Sequence, residues 1–390
     1  MEIRKILPEE HIKILKLRSA SYNSKKDFSD PEKTKIGYEL IRALFDDSGK
    51  PCSTISVEPL TVRFNGCDVK MAGVGAIATL PQERNKGYVR KLLTYCFEEM
   101  RENGQLFSFL FPFSNPYYRM FGYECCNQKQ HVNMPLTAFE GLKSPGRAEL
   151  FIYDRDMEDV KNIYSSFIEN RNLAVVRNDA QWKKLFDRDN YTELYSTYIW
   201  YDGDSNPACY ISFDASAGTE PEINVCELAF KNYEALRGLL GFLYKFHPVF
   251  KAFKGYLPGF IDMNMLVAEP FLMERELKTY GMNRIVDVEK ALAYLKYPGS
   301  NASVNIEVND SFLAWNSGVF TVSFEDGSVS VKKSAAAPDL SCSVQSLTQF
   351  LTGFISLEKA CEYGNASVSG KQELLFSLFP QKEMFMTETY

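Results

Sequence analysis

The stretch VGAIATLPQERNKGYVRKLLTYCFEEM, residues 74–100, decides the fold of this chain. Its apolar, β-prone start at residues 74–80 predicts a strand, and the apolar residues after Gly87 recur at helical spacing. A polar loop that carries Arg84, Lys86 and Gly87 joins the two. Backbone N–H groups at the start of a helix have no partners within it, and the helix dipole favours an anion there. We therefore expect this loop to bind a phosphorylated ligand.

A second motif follows the next predicted strand, residues 107–113, and reads NPYYRMFGY at residues 115–123. An ordinary strand-to-helix connection with solvated cations would account for the loop alone. The spacing Arg84-x-x-Gly87-x-x-Arg90 together with this aromatic element resembles the GNAT acyltransferase superfamily. That resemblance implies that the loop binds acetyl-CoA and that a tyrosine of the aromatic element lies near the acetyl sulfur.

The composition is that of an ordinary globular protein, with 45% hydrophobic and 24% charged residues, and 390 residues predict two or three domains. Nine cysteines without a C-x-x-C pair and only three histidines argue against a disulfide framework or a metal site and fit the reduced cytoplasm. A net charge of −6 argues against nucleic acid as a partner and is compatible with a cationic one. Neither a membrane span nor a signal peptide is predicted.

Two Pro/Gly/Ser-rich segments, residues 143–146 and 297–302, divide the chain into predicted domains at 1–145, 146–297 and 298–390. The first domain has a strand, a helix and a β-meander before the motif region. The middle domain repeats this plan more weakly, with a strand at 223–230 and a helix at 231–246. Aligning the two helices puts Glu234 where the first domain has Gly87, which predicts a second, degenerate domain without a cofactor site. A chance α/β similarity is the alternative.

The last domain has a different pattern. Alternating strands flank Glu-Asp-Gly at residues 325–327, a hairpin signal, and two helical patterns follow, at 346–354 and 373–379. We expect a small sheet with helices on one face. Its apolar residues fit either a filled core or a lipid tunnel: Leu347, Phe350, Leu351, Phe354, Leu374, Leu375 and Phe379. The Met- and aromatic-rich terminus predicts a docked tail.

This order of domains resembles the enhanced intracellular survival (Eis) family of GNAT N-acetyltransferases. The resemblance implies an α/β and α+β architecture, in which tandem GNAT domains, the second degenerate, precede a sterol-carrier-protein-like α+β domain. It also implies acetyl-CoA as co-substrate, transfer to primary amines of aminoglycoside-like cations or lysine side chains, and a homo-oligomer, specifically a hexamer. The competing hypotheses are a lipid-binding protein and a regulatory protein that senses acetyl-CoA.

The resemblance also implies roles for single residues. The acetyl-CoA-binding residues would be Ile77, Ala78, Thr79, Arg84, Asn85, Lys86, Gly87 and Tyr88. Asn85 stands where family members often have a second arginine, which predicts weaker binding. Ser114 could bond the pantetheine arm or act as a turn residue before Pro116.

The catalytic roles fall on two tyrosines. Tyr118 matches the general acid, and a phenol is close to a thiol in acidity, although a core aromatic is the alternative. The α-carboxylate of Tyr390 matches the general base, where the residues alone indicate a packed tail. Four acidic residues near the presumed substrate side fit a cationic acceptor or a solvated face: Asp27, Asp30, Asp46 and Asp47.

Overall fold

The computed structural model describes residues 1–24, 37–215, 221–297, 299, 301–386 and 388. The chain forms two compact units. The first contains Met1–Cys126 and Gly281–Lys382, and the second contains Asn127–Tyr280 and Glu383–Met386. The domain boundaries predicted at 145/146 and 297/298 stay predictions.

The first part of the first unit alternates strands and helices. Its strands are β1 (Glu2–Lys5), β2 (Ile41–Phe45), β3 (Pro51–Phe64), β4 (Cys67–Thr79), β5 (Phe107–Leu110) and β6 (Glu124–Cys125). Its α-helices are α1 (His11–Tyr22), α2 (Tyr88–Glu102) and α3 (Asn115–Arg119). The helical spacing predicted after Gly87 is confirmed, because α2 buries Leu92, Cys96 and Phe97 completely.

The second unit has the strands β7 (Gln128–Pro135), β8 (Gly146–Leu150), β9 (Tyr195–Asp202), β10 (Pro207–Ala215), β11 (Glu222–Phe230), β12 (Ala252–Pro258) and β13 (Glu274–Thr279). Its α-helices are α4 (Tyr153–Ile168), α5 (Asp179–Phe186) and α6 (Tyr233–Leu243). The strand and helix predicted for this part of the chain are β11 and α6.

The remainder of the first unit begins with β14 (Met282–Ile285) and α7 (Val288–Leu292). A small sheet follows, with the strands β15 (Asn301–Asn309), β16 (Gly318–Glu325), β17 (Ser328–Ser334), β18 (Leu340–Ser343) and β19 (Ala366–Val368). The helices after it are α8 (Val344–Thr352), α9 (Leu357–Glu362) and α10 (Gln372–Leu378).

The two seven-stranded sheets have the same internal plan. The first has the order β1-β2-β3-β4-β5-β14-β6, and the second has the order β8-β9-β10-β11-β12-β7-β13. In each sheet the fourth and fifth strands are parallel and the other neighbours are antiparallel. The sixth strand of the first sheet, β14, comes after all the strands of the second unit in sequence, whereas that of the second sheet, β7, precedes that unit's other strands.

The small third sheet has the order β17-β16-β15-β18-β19, and its β16–β17 hairpin confirms the predicted turn. Most of the apolar residues that fitted either a core or a lipid tunnel are buried. Leu347, Phe350, Leu375 and Phe379 are at most 1% exposed, and the rings of Phe350 and Phe379 lie 5.0 Å apart. This burial and the contact between Phe350 and Phe379 are typical of a filled core.

All nine cysteines lie within the described residues and are free thiols. The described part of the chain holds no group of three or more His, Cys, Asp or Glu side chains arranged to bind a metal ion. Within those same ranges, none of the helices combines the length and apolar character needed to cross a membrane.

Candidate active site

A bulge in β4 opens the middle of the first sheet. β4 pairs with β5 only from Met71 to Val74 and then continues to Thr79. On its other side, the register with β3 shifts, so that β4 gains one residue, and Ala76 has a φ of +47°. A bulge bends a strand and increases its twist. Residues 77–79 therefore diverge from β5 and present an open strand edge.

The backbone groups of this edge alternate in direction. The N–H of Leu80 bonds to the carbonyl of Cys52 on the β3 side, at 3.1 Å. Because successive residues of a strand direct their backbone groups to opposite sides, those of Ile77 and Thr79 face away from β3. The Tyr22 hydroxyl donates a 2.7 Å hydrogen bond to the Ile77 carbonyl. An open edge of this kind can pair with an extended amide chain.

The loop after β4 supplies the start of a helix. Asn85 and Gly87 both have left-handed backbone, with φ of +63° and +74°, and α2 begins at Tyr88. No side chain caps this helix start. The first hydrogen bond around it runs from the Lys91 N–H to the Gly87 carbonyl, at 3.2 Å. The N–H groups ahead of Lys91 have no partner within the helix, and such a helix start is a favourable position for an anion.

The open edge and the helix start border one cavity of about 670 Å³. This volume lies within the range of about 300–1,000 Å³ that is typical of small-molecule sites. Seven of the nine residues predicted to bind acetyl-CoA line the cavity: Ile77, Ala78, Thr79, Arg84, Asn85, Gly87 and Tyr88. The structure therefore brings the two halves of the motif together around a space large enough for a cofactor arm.

The other two residues predicted to bind acetyl-CoA have structural contacts outside the cavity lining. Lys86 pairs with Glu83 at 2.8 Å, and this hydrogen bond raises the pKa of the lysine. The Ser114 hydroxyl accepts a 3.4 Å hydrogen bond from the Tyr117 N–H and so caps α3. Ser114 therefore has the turn role that the sequence left open as an alternative.

Two arginines contribute positive charge to the cavity. Arg84 donates to the Ser21 carbonyl at 3.2 Å, which holds its guanidinium between the end of α1 and the loop. Arg90 lies over the rings of Phe121 and Phe312, at 5.4 and 5.2 Å from their centroids. Both arginines line the cavity, so its charge favours an anionic ligand.

Tyr118 lies behind the aromatic wall of this cavity. It is 4% exposed, and its ring packs against Phe113 at 5.5 Å and Tyr117 at 5.3 Å, both of which line the cavity. Burial, together with the neighbouring hydroxyls of Tyr117 and Tyr22, raises its pKa. The phenol is therefore neutral and carries a proton at physiological pH. Its hydroxyl makes no hydrogen bond to the residues that the structure describes.

The predicted acidic residues have other positions. Tyr390, Asp27 and Asp30 lie outside the described residues. Asp46 accepts hydrogen bonds from Ser48 and Lys50 in the β2–β3 turn, and Asp47 pairs with the N-terminal ammonium at 2.5 Å. Neither of these two lines the cavity at the open edge. No local sequence pattern indicates Tyr22, whose hydrogen bond to Ile77 depends on how α1 packs against β4.

The tail before Tyr390 is docked, as predicted. Met384, Phe385 and Met386 are at most 7% exposed within the second unit. The Asn127 side chain donates a 2.9 Å hydrogen bond to the carbonyl of Met386. The tail is therefore packed against the second unit as far as Met386.

The second unit repeats the bend without the anion site. β11 pairs with β12 from Glu222 to Val225 and continues to Phe230, and its register with β10 shifts at the same place. Its helix start differs from that of α2. The Asn232 side chain accepts a 2.8 Å hydrogen bond from the Ala235 N–H, and Glu234 stands in the first turn of α6. The Ala235 N–H is already hydrogen-bonded, and the Glu234 carboxylate adds negative charge at the helix start, so both features are unfavourable for binding a phosphate group.

Comparison with protein families gives three matches along the chain. Residues 2–126 match an acetyltransferase (GNAT) domain, residues 173–285 match a second acetyltransferase (GNAT) domain, and residues 288–387 match a sterol carrier protein domain. No curated protein sequence matches the chain.

Solved structures of similar fold cover nearly the whole chain. A probable N-acyltransferase of unknown function from Enterococcus faecalis V583 is 22% identical, with a TM-score of 0.86 over 98% of this chain and 97% of that one. A GCN5-related N-acetyltransferase from Anabaena variabilis is 21% identical, with a TM-score of 0.86 over 100% of both chains. Eis1 from Mycobacterium abscessus is 20% identical, with a TM-score of 0.81 over 100% of both chains. The fold is shared along the full length.

Proposed function

Because this chain belongs to the GNAT acetyltransferases, with two GNAT domains and a sterol carrier protein domain in the Eis-like order, we propose that it acetylates primary amines of cationic substrates. GNAT domains use acetyl-CoA as co-substrate. The observation that carries the proposal is the cavity where the open edge of β4, the uncapped start of α2 and the wall in front of Tyr118 meet. Aminoglycoside-like cations and lysine side chains are the proposed acceptors.

The binding role of the cavity follows from its two polar borders. Residues 77–79 would pair with the amides of the pantetheine arm, because the backbone groups of Ile77 and Thr79 face the cavity side. The N–H groups at the start of α2 would hold the pyrophosphate, and Arg84 would add a charge-assisted hydrogen bond. Lys86 would contribute little, because its ion pair with Glu83 largely cancels its charge and because it lies outside the cavity lining.

Acetyl transfer needs a proton donor for the leaving thiolate and a donor for the oxyanion that develops at the carbonyl. We assign the first role to the hydroxyl of Tyr118, which burial keeps protonated. Backbone N–H groups of the diverging edge at residues 77–79 could fill the second role.

The remaining roles rest on the family resemblance. The α-carboxylate of Tyr390 is the proposed general base, and its negative charge would also attract a cationic amine. A carboxylate with an ordinary pKa of about 3.5 is a weak base, so we expect it to act through water or after desolvation. A cytoplasmic homo-hexamer is the proposed assembly.

The test is thiol release from acetyl-CoA with a panel of aminoglycosides, diamines and lysine peptides. The variants are Tyr118→Phe, a chain with one residue added after Tyr390, and Tyr117→Phe as a neighbouring-tyrosine control. We expect turnover of several amines, loss of turnover in the first two variants, and substantial activity in the control.

Two results would contradict the proposal. Tight acetyl-CoA binding without turnover of any amine would favour a sensor of acetyl-CoA. Displacement of a hydrophobic fluorophore by lipids, without turnover, would favour a lipid-binding protein.

A further inference from the structure

A second cavity of about 280 Å³ lies on the α1 side of the β4 bulge. Arg18 lines it from α1, Ser56 and Glu58 line it from β3, and Gly75 and Ala76 line it from β4. The next residue of β4, Ile77, lines the larger cavity. The two cavities therefore meet the same bulge from different sides, and a ligand in the smaller one would lie next to the open edge.

Arg18 is the arginine that lines this small cavity. Its Nη2 donates to the hydroxyl of Ser56 at 2.9 Å and to that of Thr54 at 3.4 Å. Its Nε is buried and has no hydrogen-bond partner. In the described ranges of the chain, no carboxylate forms an ion pair with Arg18. Burial lowers its pKa to about 10, so it stays cationic at neutral pH.

This arrangement leaves part of the guanidinium without a protein hydrogen-bond partner among the described residues. Arg18 is half-buried and so has lost part of its hydration, and the two hydroxyls accept from only one nitrogen of a guanidinium that has five N–H donors. The planar fork of an arginine matches a carboxylate, which can accept two parallel hydrogen bonds from it. Glu58 also lines the small cavity, on the same face of β3 as Ser56 and Thr54.

We propose that the acceptor is an amine whose molecule also carries a carboxylate, as an amino acid does, and that Arg18 binds this carboxylate. The proposal rests on the acetyltransferase function above and narrows its acceptor. Tyr22 lies one helical turn beyond Arg18 and bonds to Ile77, so α1 connects the carboxylate site to the acetyl site. A polyamine without an acid group would leave Arg18 unpaired.

The reaction itself is balanced without any further reactant. The amine nitrogen forms a bond to the acetyl carbon, and the bond between that carbon and sulfur breaks. The nitrogen loses a proton to the base, and the thiolate gains one from the acid. The products are an N-acetylated amino acid and CoA thiol, and the carboxylate stays unchanged as the group that Arg18 holds.

The test compares lysine with cadaverine, which is lysine without its carboxylate, and with lysinamide, in which the carboxylate is an amide. We expect kcat/KM for lysine to exceed that for cadaverine by about tenfold or more, since a hydrogen bond to a charged group contributes about 1.5–3 kcal/mol. Arg18→Gln should remove most of this preference, through a raised KM for lysine. Arg18→Lys, which keeps the charge but not the fork, should retain part of the preference, and Lys16→Gln, on the exposed side of α1, should retain all of it.

The outcomes separate the two proposals. Equal turnover of lysine and cadaverine by the wild type would overturn the carboxylate site while the acetyltransferase function stands. Calorimetric titration of lysine into the wild type and Arg18→Gln gives a readout independent of turnover. Binding that depends on Arg18, without acetylation of any amine, would support the site and contradict the function. An Arg18→Gln protein with the wild-type melting temperature and an undiminished lysine preference would also overturn the site.

Discussion

The hydroxyl of Tyr22 is bonded to the main-chain carbonyl of Ile77 at 2.7 Å, on the edge of β4 that has lost its neighbouring strand. Tyr22 thus occupies an acceptor that an amide-containing ligand would use. Burial raises the pKa of Tyr22, so its hydroxyl remains a donor across the neutral range. In this structure the residue is the hydrogen-bond partner of the open edge at Ile77.

Removing this hydroxyl should therefore free the edge. For Tyr22→Phe we expect tighter binding of acetyl-CoA, by about fivefold, because a neutral hydrogen bond contributes about 1 kcal/mol and no longer competes with the ligand. Calorimetric titration with acetyl-CoA measures the change. Weaker binding in this variant would show instead that Tyr22 contacts the ligand directly.

Gly87 gives a prediction with a matched control. Its φ of +74° favours glycine, and a Cβ there would meet no atom within 4 Å. Gly49 has the same properties, with a φ of +79°, in the β2–β3 turn away from the cavity lining. We expect Gly87→Ala and Gly49→Ala to lose similar stability, roughly 1–2 kcal/mol, from the left-handed backbone.

Only Gly87→Ala should also raise the KM for acetyl-CoA, because its methyl group would stand at the helix start. Urea denaturation and steady-state kinetics on both variants separate the two effects. An unchanged KM in Gly87→Ala would mean that no phosphate approaches this backbone.

The two cations of the loop should behave differently. Arg84 lines the cavity, whereas Lys86 pairs with Glu83 and lies outside the lining. We expect Arg84→Gln to weaken acetyl-CoA binding by about tenfold, as the loss of a charge-assisted hydrogen bond predicts. Lys86→Gln should change it less than about twofold, since an exposed ion pair contributes little. The reverse order would show that the loop rearranges when the ligand binds.

The sequence predicted the elements whose patterns are local. The helical spacing of α2, the presence of a helix before the motif region and the β16–β17 hairpin can all be recognised from a few consecutive residues. The prediction for β5 was too long, because the strand ends at Leu110 rather than at residue 113. β4 diverges after Val74, and Pro112 has no N–H to donate to a sheet.

Features that depend on tertiary register could not be predicted in this way. β14 is a four-residue strand whose partners, β5 and β6, precede it by more than 150 residues, and no local pattern indicates such a pairing. Arg18 and Tyr22 look like ordinary residues of a helix. Their roles appear only when α1 packs over the bulge at Ala76, which the sequence does not mark.

The pH dependence of the reaction gives a test for Tyr118. Burial raises the pKa of its phenol above the ordinary value of about 10, so the proton-donating form persists to higher pH than it would in a free tyrosine. We expect kcat to show no decline between about pH 8 and 10. A fall in kcat centred below about pH 9.5 would point to another acid with a lower pKa.

The same shift has a consequence for stability. The folded chain retains the Tyr118 proton at a pH where the unfolded chain loses it. The free energy of unfolding is therefore unaffected by this tyrosine's titration below about pH 10 and falls as the pH rises above that value. Thermal unfolding of Tyr118→Phe and wild type at pH 8 and pH 11 measures the difference. The wild type should lose more stability between these two values than the variant does.

A buried ion pair anchors β14 within the first unit. Arg284 and Asp310 are both fully buried, the guanidinium donates to the Asp310 carboxylate and to the Phe121 carbonyl, and the other carboxylate oxygen accepts from the N–H groups of Phe312 and Leu313. We expect Asp310→Asn to lose about 3–5 kcal/mol, because Arg284 would be left as an uncompensated buried charge.

Two comparison variants make this prediction specific. Arg284→Met combined with Asp310→Asn should lose less than Asp310→Asn alone, since no buried charge remains unpaired. Arg119→Gln, which breaks the partly exposed Arg119–Glu124 pair, should lose at most about 1 kcal/mol. Urea denaturation of the three variants measures these differences. A loss below about 1 kcal/mol for Asp310→Asn would mean that the pair does not hold β14 in the sheet, because breaking a buried pair costs several times more.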